Sequence, residues 1–395
     1  MNRRHLAVIH YGFFAGPHNR AQRLCRPLSK RGWDSVVLIP NDDGSAAARF
    51  AENKIPTRIE RYSRLRATWD PLTHMRYIGS FRKDIQTIQR VMREEKPDVV
   101  LIAGLANPHA AIAAREEGLP VVWQLIDTRL PLLVQEPLMA LVRRYAHAVM
   151  FNGQMLQKTH TRFGAISCPA FIYYPPVDLD TFVPSVEKRR ATRGRLGIPM
   201  DAQVVGMVAN WNAQKGIEYF VRSAAMIFEK NKDVWFLTVG ATYADKHEYG
   251  ELIQRELDRS GIPAERFIRT GRQNNVEDFY PAMDVKVITS VPLSEGTTTT
   301  AIESHACGVP VVATNVGAVA EIVANGQTGF VVPPMQPEAI AQAVLELVDN
   351  PGRRAEMGAA ARLRATNLFG VERCADVHAE ALDAAIRFRD RKNPA

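Results

Sequence analysis

The stretch SEGTTTTAIESHACGVPVVAT, residues 294–314, joins a polar loop, a helix and an apolar strand. Four threonines lie between Glu295 and Glu303, which are eight residues apart. A helix that opens on such a run presents unpaired backbone N–H groups and the positive end of its dipole. Threonine hydroxyls can donate to phosphate oxygens, and the two carboxylates can accept from sugar hydroxyls. The arrangement suits a sugar phosphate, and the short apolar strand at its end suits a buried parallel sheet.

The same grammar runs outward in both directions. Towards the amino terminus, HLAVIHYG (5–12), SVVLIP (35–40), PDVVLIAG (97–104), LPVVWQLID (119–127), AVMFN (148–152) and AFIYYP (170–175) read as strands. Helices are expected at about 20–30, 82–95 and 108–117. YYPPVDLDTF (173–182) interrupts the pattern. It then restarts with VVGMVAN (204–210), VWFLTVG (234–240), RFIRTG (266–271) and VKVITS (285–290), with helices near 216–229, 246–260 and 299–307. NGQTGFVVPP (325–334) supplies a turn and strand, and helices continue from about 337. Continuous apolar strands alternating with helices predict an α/β chain of two doubly wound, Rossmann-like domains facing across a cleft. The expected boundaries are 1–182 and 183–372, with a last helix at about 373–395 packing back on the first domain. In open α/β sheets ligands bind beyond the carboxyl ends of the strands, so the cleft is the expected site.

Composition narrows the classes. A hydrophobic share of 46% and a charged share of 23% belong to a globular protein, and 395 residues suit two domains. No apolar run is long enough to span a bilayer, and MNRRHLAVIHYG lacks a secretory pattern. Cys25, Cys168, Cys307 and Cys374 show neither zinc spacing nor a disulfide framework. A cytoplasmic chain with reduced thiols is expected. Charge is uneven: residues 1–180 hold 25 Lys and Arg against 16 Asp and Glu, and the remainder holds 25 against 26. Arg58, Arg61, Arg64, Arg66, Arg76, Arg82, Lys83 and Arg90 concentrate it, with Tyr62, Trp69, Tyr77 and Phe81 interleaved. Such a face suits peripheral contact with an anionic membrane, at the inner membrane face, or equally a solvated surface. No nucleic-acid recognition motif accompanies the charge. No G-x-G-x-x-G comes after the first strand of either half, which disfavours a dinucleotide oxidoreductase.

Four fragments, in order, resemble the retaining family-4 glycosyltransferases with the GT-B fold, over nearly the whole chain. They are SEG with the second glutamate of the opening stretch, VVGMVANWNAQKGIEYF (204–220), PPVDLDTF (175–182), and FIRTGRQNNVEDFYPAMDVKVITS (267–290) with NGQTGFVVPP after it. The resemblance implies transfer of a hexose-type sugar from a nucleoside-diphosphate sugar to a glycan, glycolipid or small-molecule acceptor, with retention and without an essential metal. It implies that Glu295 lies near the donor sugar's hydroxyls and that Glu303 accepts from the ribose. Gly296, Thr297, Thr298 and Thr299, assisted by Lys215, would hold the diphosphate. Gly16, in the first loop, would let backbone approach it, and Arg272 and Gln273 would flank the base. A front-face route needs no protein nucleophile, so Glu295 and Glu303 are not a glycosidase-type pair.

Two positions depart from the family pattern. WQLIDTRLP (123–131) keeps Asp127 but has Ile126 where a histidine is common, and Asn210 stands where many members have arginine. Asp127 with Arg129 is therefore the candidate for acceptor handling. Asp178-Leu179-Asp180 is a D-x-D string but sits away from any nucleotide loop, so metal binding there is disfavoured. The rival readings are a nucleotide-sugar-binding protein with impaired catalysis and a GT-B sugar-nucleotide epimerase.

Overall fold

The computed structural model describes residues 2–41, 44–65, 70–126, 131–162, 164–241, 247–294 and 296–392. The chain forms two compact units, Met1–Pro176 with Val371–Ala395, and Val177–Gly370.

In the first unit the strands are β1 (Arg3–Ile9), β2 (Trp33–Pro40), β3 (Thr57–Glu60), β4 (Val99–Ala103), β5 (Val121–Leu125), β6 (Ala148–Asn152) and β7 (Ala170–Tyr173). They form one parallel sheet in the order β3-β2-β1-β4-β5-β6-β7. The winding reverses between β1 and β4. Every residue of β4 and β5 is buried, as the uninterrupted apolar runs require of strands covered on both faces. Alternation then sorts the faces. Leu6 and Val8 pack with Ile85, Ile88 and Val91 of the helix Pro71–Glu95. Ala7 and Ile9 pack on the opposite side with Leu24, Leu28, Ala375, Ala379 and Leu382. The last three belong to the helix Val371–Lys392, so the carboxy-terminal helix completes the first unit's core.

The second unit has β8 (Gln203–Val208), β9 (Val234–Val239), β10 (Phe267–Arg269), β11 (Val285–Ile288), β12 (Val311–Thr314) and β13 (Gly329–Val332). Their order is β10-β9-β8-β11-β12-β13, again parallel, with the reversal between β8 and β11. Two Rossmann-like sheets of this kind are the architecture expected of GT-B.

Details differ from the sequence reading for local reasons. β3 has no counterpart in that reading; it is a half-exposed edge strand whose short TRIE run carries no apolar signal. The helix expected from 82 begins at Pro71, because Asp70 accepts from the N–H groups of Leu72 and Thr73 and proline suits the first turn. The boundary expected at 182/183 falls inside the second unit. Val177 N–H donates to the Phe369 carbonyl at 2.8 Å, and Arg362 donates to the carbonyls of Leu179 and Phe182, so 177–182 belongs to the second unit.

One buried cation organises the start of the second sheet. Arg193, 0% exposed, ends the helix Val186–Leu196 and donates to Asp284 at 2.7 Å and to the carbonyls of Pro199, Met200, Ala202 and Ala282. Asp284 also accepts from Arg189 and from the N–H of Val204, tying the entrances of β8 and β11 together. Removing one member of a buried, fully bonded pair strands the other, at a cost of about 3–5 kcal/mol. Arg193→Met should lower stability by that amount in urea unfolding, whereas Leu363→Ala, at a 62% exposed helical position, should shift it by less than about 0.5 kcal/mol.

In the first unit, His378 of the last helix is held neutral. Its Nδ1 lies 2.7 Å from the Cys374 carbonyl and so must donate, which leaves Nε2 to accept from the Gln124 amide at 3.0 Å. The Gln124 carbonyl accepts from Arg20. Burial, reinforced by the Arg20 charge, lowers the His378 pKa to about 3, and burial lowers that of His5 to about 4 against the opposing pull of Asp34. Both values lie below the ordinary value of 6.5, so the stabilisation is complete above that pH. It is lost as pH falls from there through about 4 and 3, since the unfolded chain takes up the protons first. At pH 5 each histidine should cost roughly 2 kcal/mol. Thermal unfolding should show Tm falling between pH 7 and 5, and His378→Gln should flatten that slope while lowering Tm at pH 7.

Candidate active site

The loops after β8 and β11 meet where the second sheet's winding reverses. Asn212 Oδ1 accepts from the N–H groups of Gln214 and Lys215, at 3.0 and 3.2 Å, a side-chain-closed turn. The Thr289 hydroxyl lies 2.9 Å from the Lys215 carbonyl and 2.8 Å from that of Gly216, and Val291 N–H donates to Gln214. Gly216 is left-handed at φ +59, and a Cβ on it would approach the Thr289 carbonyl oxygen to 2.4 Å. Only glycine fits that crossing. The helix Ile217–Lys230 starts there, but its first N–H already donates to the Tyr249 hydroxyl at 2.9 Å. The turn carries the Lys215 side chain to the carboxyl edge of β8.

The opening stretch forms the other side. Leu293 is 80% exposed and held at φ +61, a strained conformation for a residue with a Cβ. Gly296 accepts from the N–H of Ala318 at 2.8 Å. Thr298 occupies the N-cap of the helix Thr299–Ala306 without capping it, and its buried hydroxyl has no hydrogen-bond partner among the described residues. Thr297 and Thr299 flank it, half-buried. Lys286, 0% exposed in β11, donates to the Thr300 hydroxyl at 3.3 Å. The positive end of a helix dipole with a buried cation at its first turn is an electropositive seat for phosphate oxygens. One turn on, Glu303 is 6% exposed and accepts from the Tyr280 hydroxyl at 2.8 Å.

The third element lies at the ends of β9 and β10. Gly240 N–H donates to the Gly271 carbonyl, and a Cβ on Gly240 would stand 1.9 Å from the Ala209 carbonyl oxygen. This close packing sets the exposed Asn210 and the turn of Arg272 and Gln273 along one edge. Arg272 is exposed, and Gln273 folds its amide back onto the Thr270 carbonyl at 2.8 Å.

Of the residues read from the sequence, Asn210, Lys215, Arg272, Gln273, Gly296, Thr297, Thr298, Thr299 and Glu303 therefore share the carboxyl edge of the second sheet. Gly16 lies in the first unit at the start of the helix Gly16–Ser29, where a Cβ would meet nothing within 4 Å, so packing does not demand glycine there. Glu295, Asp127 and Arg129 lie outside the described residues, as do Arg66 and Trp69 of the basic segment. Ile126 packs against the first unit's core, an apolar role where the resemblance implied a histidine. Asp178 uses both oxygens on the N–H groups of Asp180 and Thr181 and on the Thr181 hydroxyl, closing a turn.

Sequence reasoning missed Lys286, Tyr280 and Thr289. A lysine inside the apolar run of a central parallel strand was the available signal for the first, since both faces of such a strand are covered. Three cations of the basic segment are ion-paired. Arg58 meets Glu94 and Glu95, Arg82 meets Glu116, and Arg90 meets Glu60 and Glu94. Among the described residues no helix is long and apolar enough to cross a membrane.

Two family models match the chain in succession: "Glycosyl transferase 4-like domain" over residues 15–165 and "Glycosyl transferases group 1" over 202–350. The D-inositol 3-phosphate glycosyltransferase 2 of Catenulispora acidiphila is 34% identical over 227 residues, covering 55% of this chain and 52% of that protein. The lipopolysaccharide core biosynthesis mannosyltransferase LpsB of Rhizobium meliloti is 27% identical over 224 residues, 56% of this chain and 63% of that one. The chain thus spans about half the length of the inositol-phosphate relatives it matches. In structure it is similar to Anabaena HepE, solved in complex with UDP, with a TM-score of 0.80 at 21% identity over 97% of this chain and all of that one; this likeness concerns the fold. With the two reversed sheets and the two family matches in register with them, the chain belongs to the family-4 glycosyltransferases of GT-B fold.

Proposed function

We propose that the chain transfers a hexose-type sugar from a nucleoside-diphosphate sugar to a small-molecule, glycan or glycolipid acceptor, with retention and without an essential metal. The observation that carries the reading is the start of the helix Thr299–Ala306, where a buried Thr298 hydroxyl with no partner among the described residues and the Lys286 cation lie beside the Lys215 loop. In this reading the amides and hydroxyls of Thr297–Thr299 and the Lys215 ammonium take the diphosphate as negative charge builds on it. Preorganised donors aimed at a leaving group lower its barrier without a protein nucleophile. Glu303, fixed by Tyr280, takes the ribose hydroxyls, Glu295 the sugar hydroxyls, and Arg272 with Gln273 the base. Asp127 handles the acceptor, and Gly16 gives backbone access to the diphosphate. The relatives are named for a D-inositol 3-phosphate acceptor class and for mannosyl transfer, and Anabaena HepE was solved with UDP-glucose, so these chemistries are the first to try.

A panel of UDP-, GDP-, ADP- and TDP-sugars, with released nucleotide as readout and chelator in one arm, tests the reading. Nucleotide binding without release would favour the impaired binding protein instead. Lys215→Ala should lower kcat/KM by about 10²–10³-fold, mostly in kcat. Glu303→Gln keeps the packing against Tyr280 but removes a charged acceptor. It should weaken nucleotide binding roughly 10–100-fold in titration calorimetry, and unchanged affinity would remove it from the ribose role.

A further inference from the structure

A second pocket, of about 510 Å³, lies wholly within the first unit. It is built by the loops that leave three adjacent strands: His10 after β1, Asn41 after β2, and Arg61 to Arg64 after β3. The first half of the helix Pro71–Glu95 closes it with Arg76, Tyr77, Ser80, Lys83 and Asp84. It therefore sits at the carboxyl edge of a doubly wound sheet, and its volume suits a small ligand.

Its charge is not that of the surrounding surface. Nearby Arg58, Arg82, Arg90 and Arg93 are all matched by glutamates. Inside the pocket stand Arg61, Arg64, Arg76 and Lys83, and Arg61, Arg76 and Lys83 enter no ion pair among the described residues. The single carboxylate of the lining, Asp84, is 4% exposed and turned to other work. It accepts from the Ser63 N–H at 3.1 Å, from the Ser63 hydroxyl, and from the Ser80 hydroxyl at 2.8 Å, clasping the arginine loop to the helix. Arg64 is oriented by the rings of Phe13 and Tyr11, 5.3 and 5.9 Å from their centroids. Tyr77 adds a buried hydroxyl with no hydrogen-bond partner among the described residues. Burial, with the Asp84 charge second, pushes its pKa upward, so it remains a donor.

Four cations against one carboxylate that Ser63 and Ser80 already engage, a ring-stacked guanidinium and a hydroxyl donor with no partner among the described residues call for a compact anion of more than one charge. A phosphomonoester carries close to two negative charges near neutral pH and three acceptor oxygens. We infer that this pocket is a phosphate subsite, and that the acceptor of the transfer carries a phosphomonoester recognised by Arg61, Arg76, Lys83 and Tyr77. The acceptor part of the inference rests on the transferase reading above.

Titration calorimetry on the full chain with glycerol 3-phosphate, with glycerol as control, measures the subsite directly. Binding of glycerol 3-phosphate but not glycerol is expected, with at least tenfold loss in Arg61→Gln/Lys83→Gln. In that double variant Tm and nucleotide affinity should be unchanged. Tyr77→Phe, which preserves the ring, should weaken phosphate binding several-fold. Cosedimentation with phosphatidylcholine vesicles containing phosphatidic acid separates the sources: lipid response alone assigns a lipid phosphate, and response to glycerol 3-phosphate assigns a free one. Equal affinity in wild type and double variant, or no response to either probe, overturns the inference and leaves the nucleotide-sugar reading standing. Phosphate binding with no turnover of any nucleotide sugar overturns the transferase reading and the acceptor role with it.

Discussion

The second unit turns on one crossing, the Gly216 backbone against the Thr289 carbonyl, with the Thr289 hydroxyl bonded across it to Lys215 and Gly216. β8 and β11 can be neighbours in a parallel sheet only if the chain leaves them in opposite winding directions, which opens a crevice at their carboxyl ends. The crossing holds that crevice to a fixed width. At the other end of the same two strands, Arg193 and Asp284 pin their entrances. The edge that carries the lysine loop is thereby backed by a buried ion pair at the other end, and the loop itself is placed by backbone packing at Gly216 and by the buried Thr289 hydroxyl.

Much of this could be read from residues. The strands announced themselves as apolar runs because both faces of each sheet are covered, and the helix at Thr299 did so through a run of small hydroxylated residues. Less visible was everything that depends on residues far apart in the chain. Glu303 is buried and accepts from Tyr280, which comes from a separate turn that local pattern does not connect to it. Asp70 and Pro71 mark a helix start, yet the arginines beyond them are the louder signal. Segment 177–182 joins the second unit because of Phe369 and Arg362, nearly two hundred residues later. Local pattern gives elements; long-range bonds give allegiance.

The charge excess of the amino-terminal half resolves in the same way. As a count it suggests one broad basic face. In three dimensions the described cations of segment 58–93 divide into a set neutralised by glutamates on neighbouring elements and a set around one pocket. Exposed ion pairs contribute little to stability, and their chief effect is to remove long-range attraction for anions. The set around the pocket keeps that attraction.

The carboxy-terminal helix has a consequence for how the molecule is made. The first unit needs Ala375, Ala379, Leu382 and His378 to cover one face of its sheet, yet these residues come after the entire second unit in the chain. Domains generally mature in the order of their synthesis. Here the earlier-born sheet must wait, with Trp33 and Gln124 lacking their partners, while the inserted unit is completed. The two ends of that insertion lie side by side, Val177 bridged to Gly370, so the inserted unit can close on itself before its host does. The unit bearing the nucleotide-type crevice is thus the self-sufficient one, and the first unit becomes whole only when ribosomal synthesis has delivered the last helix.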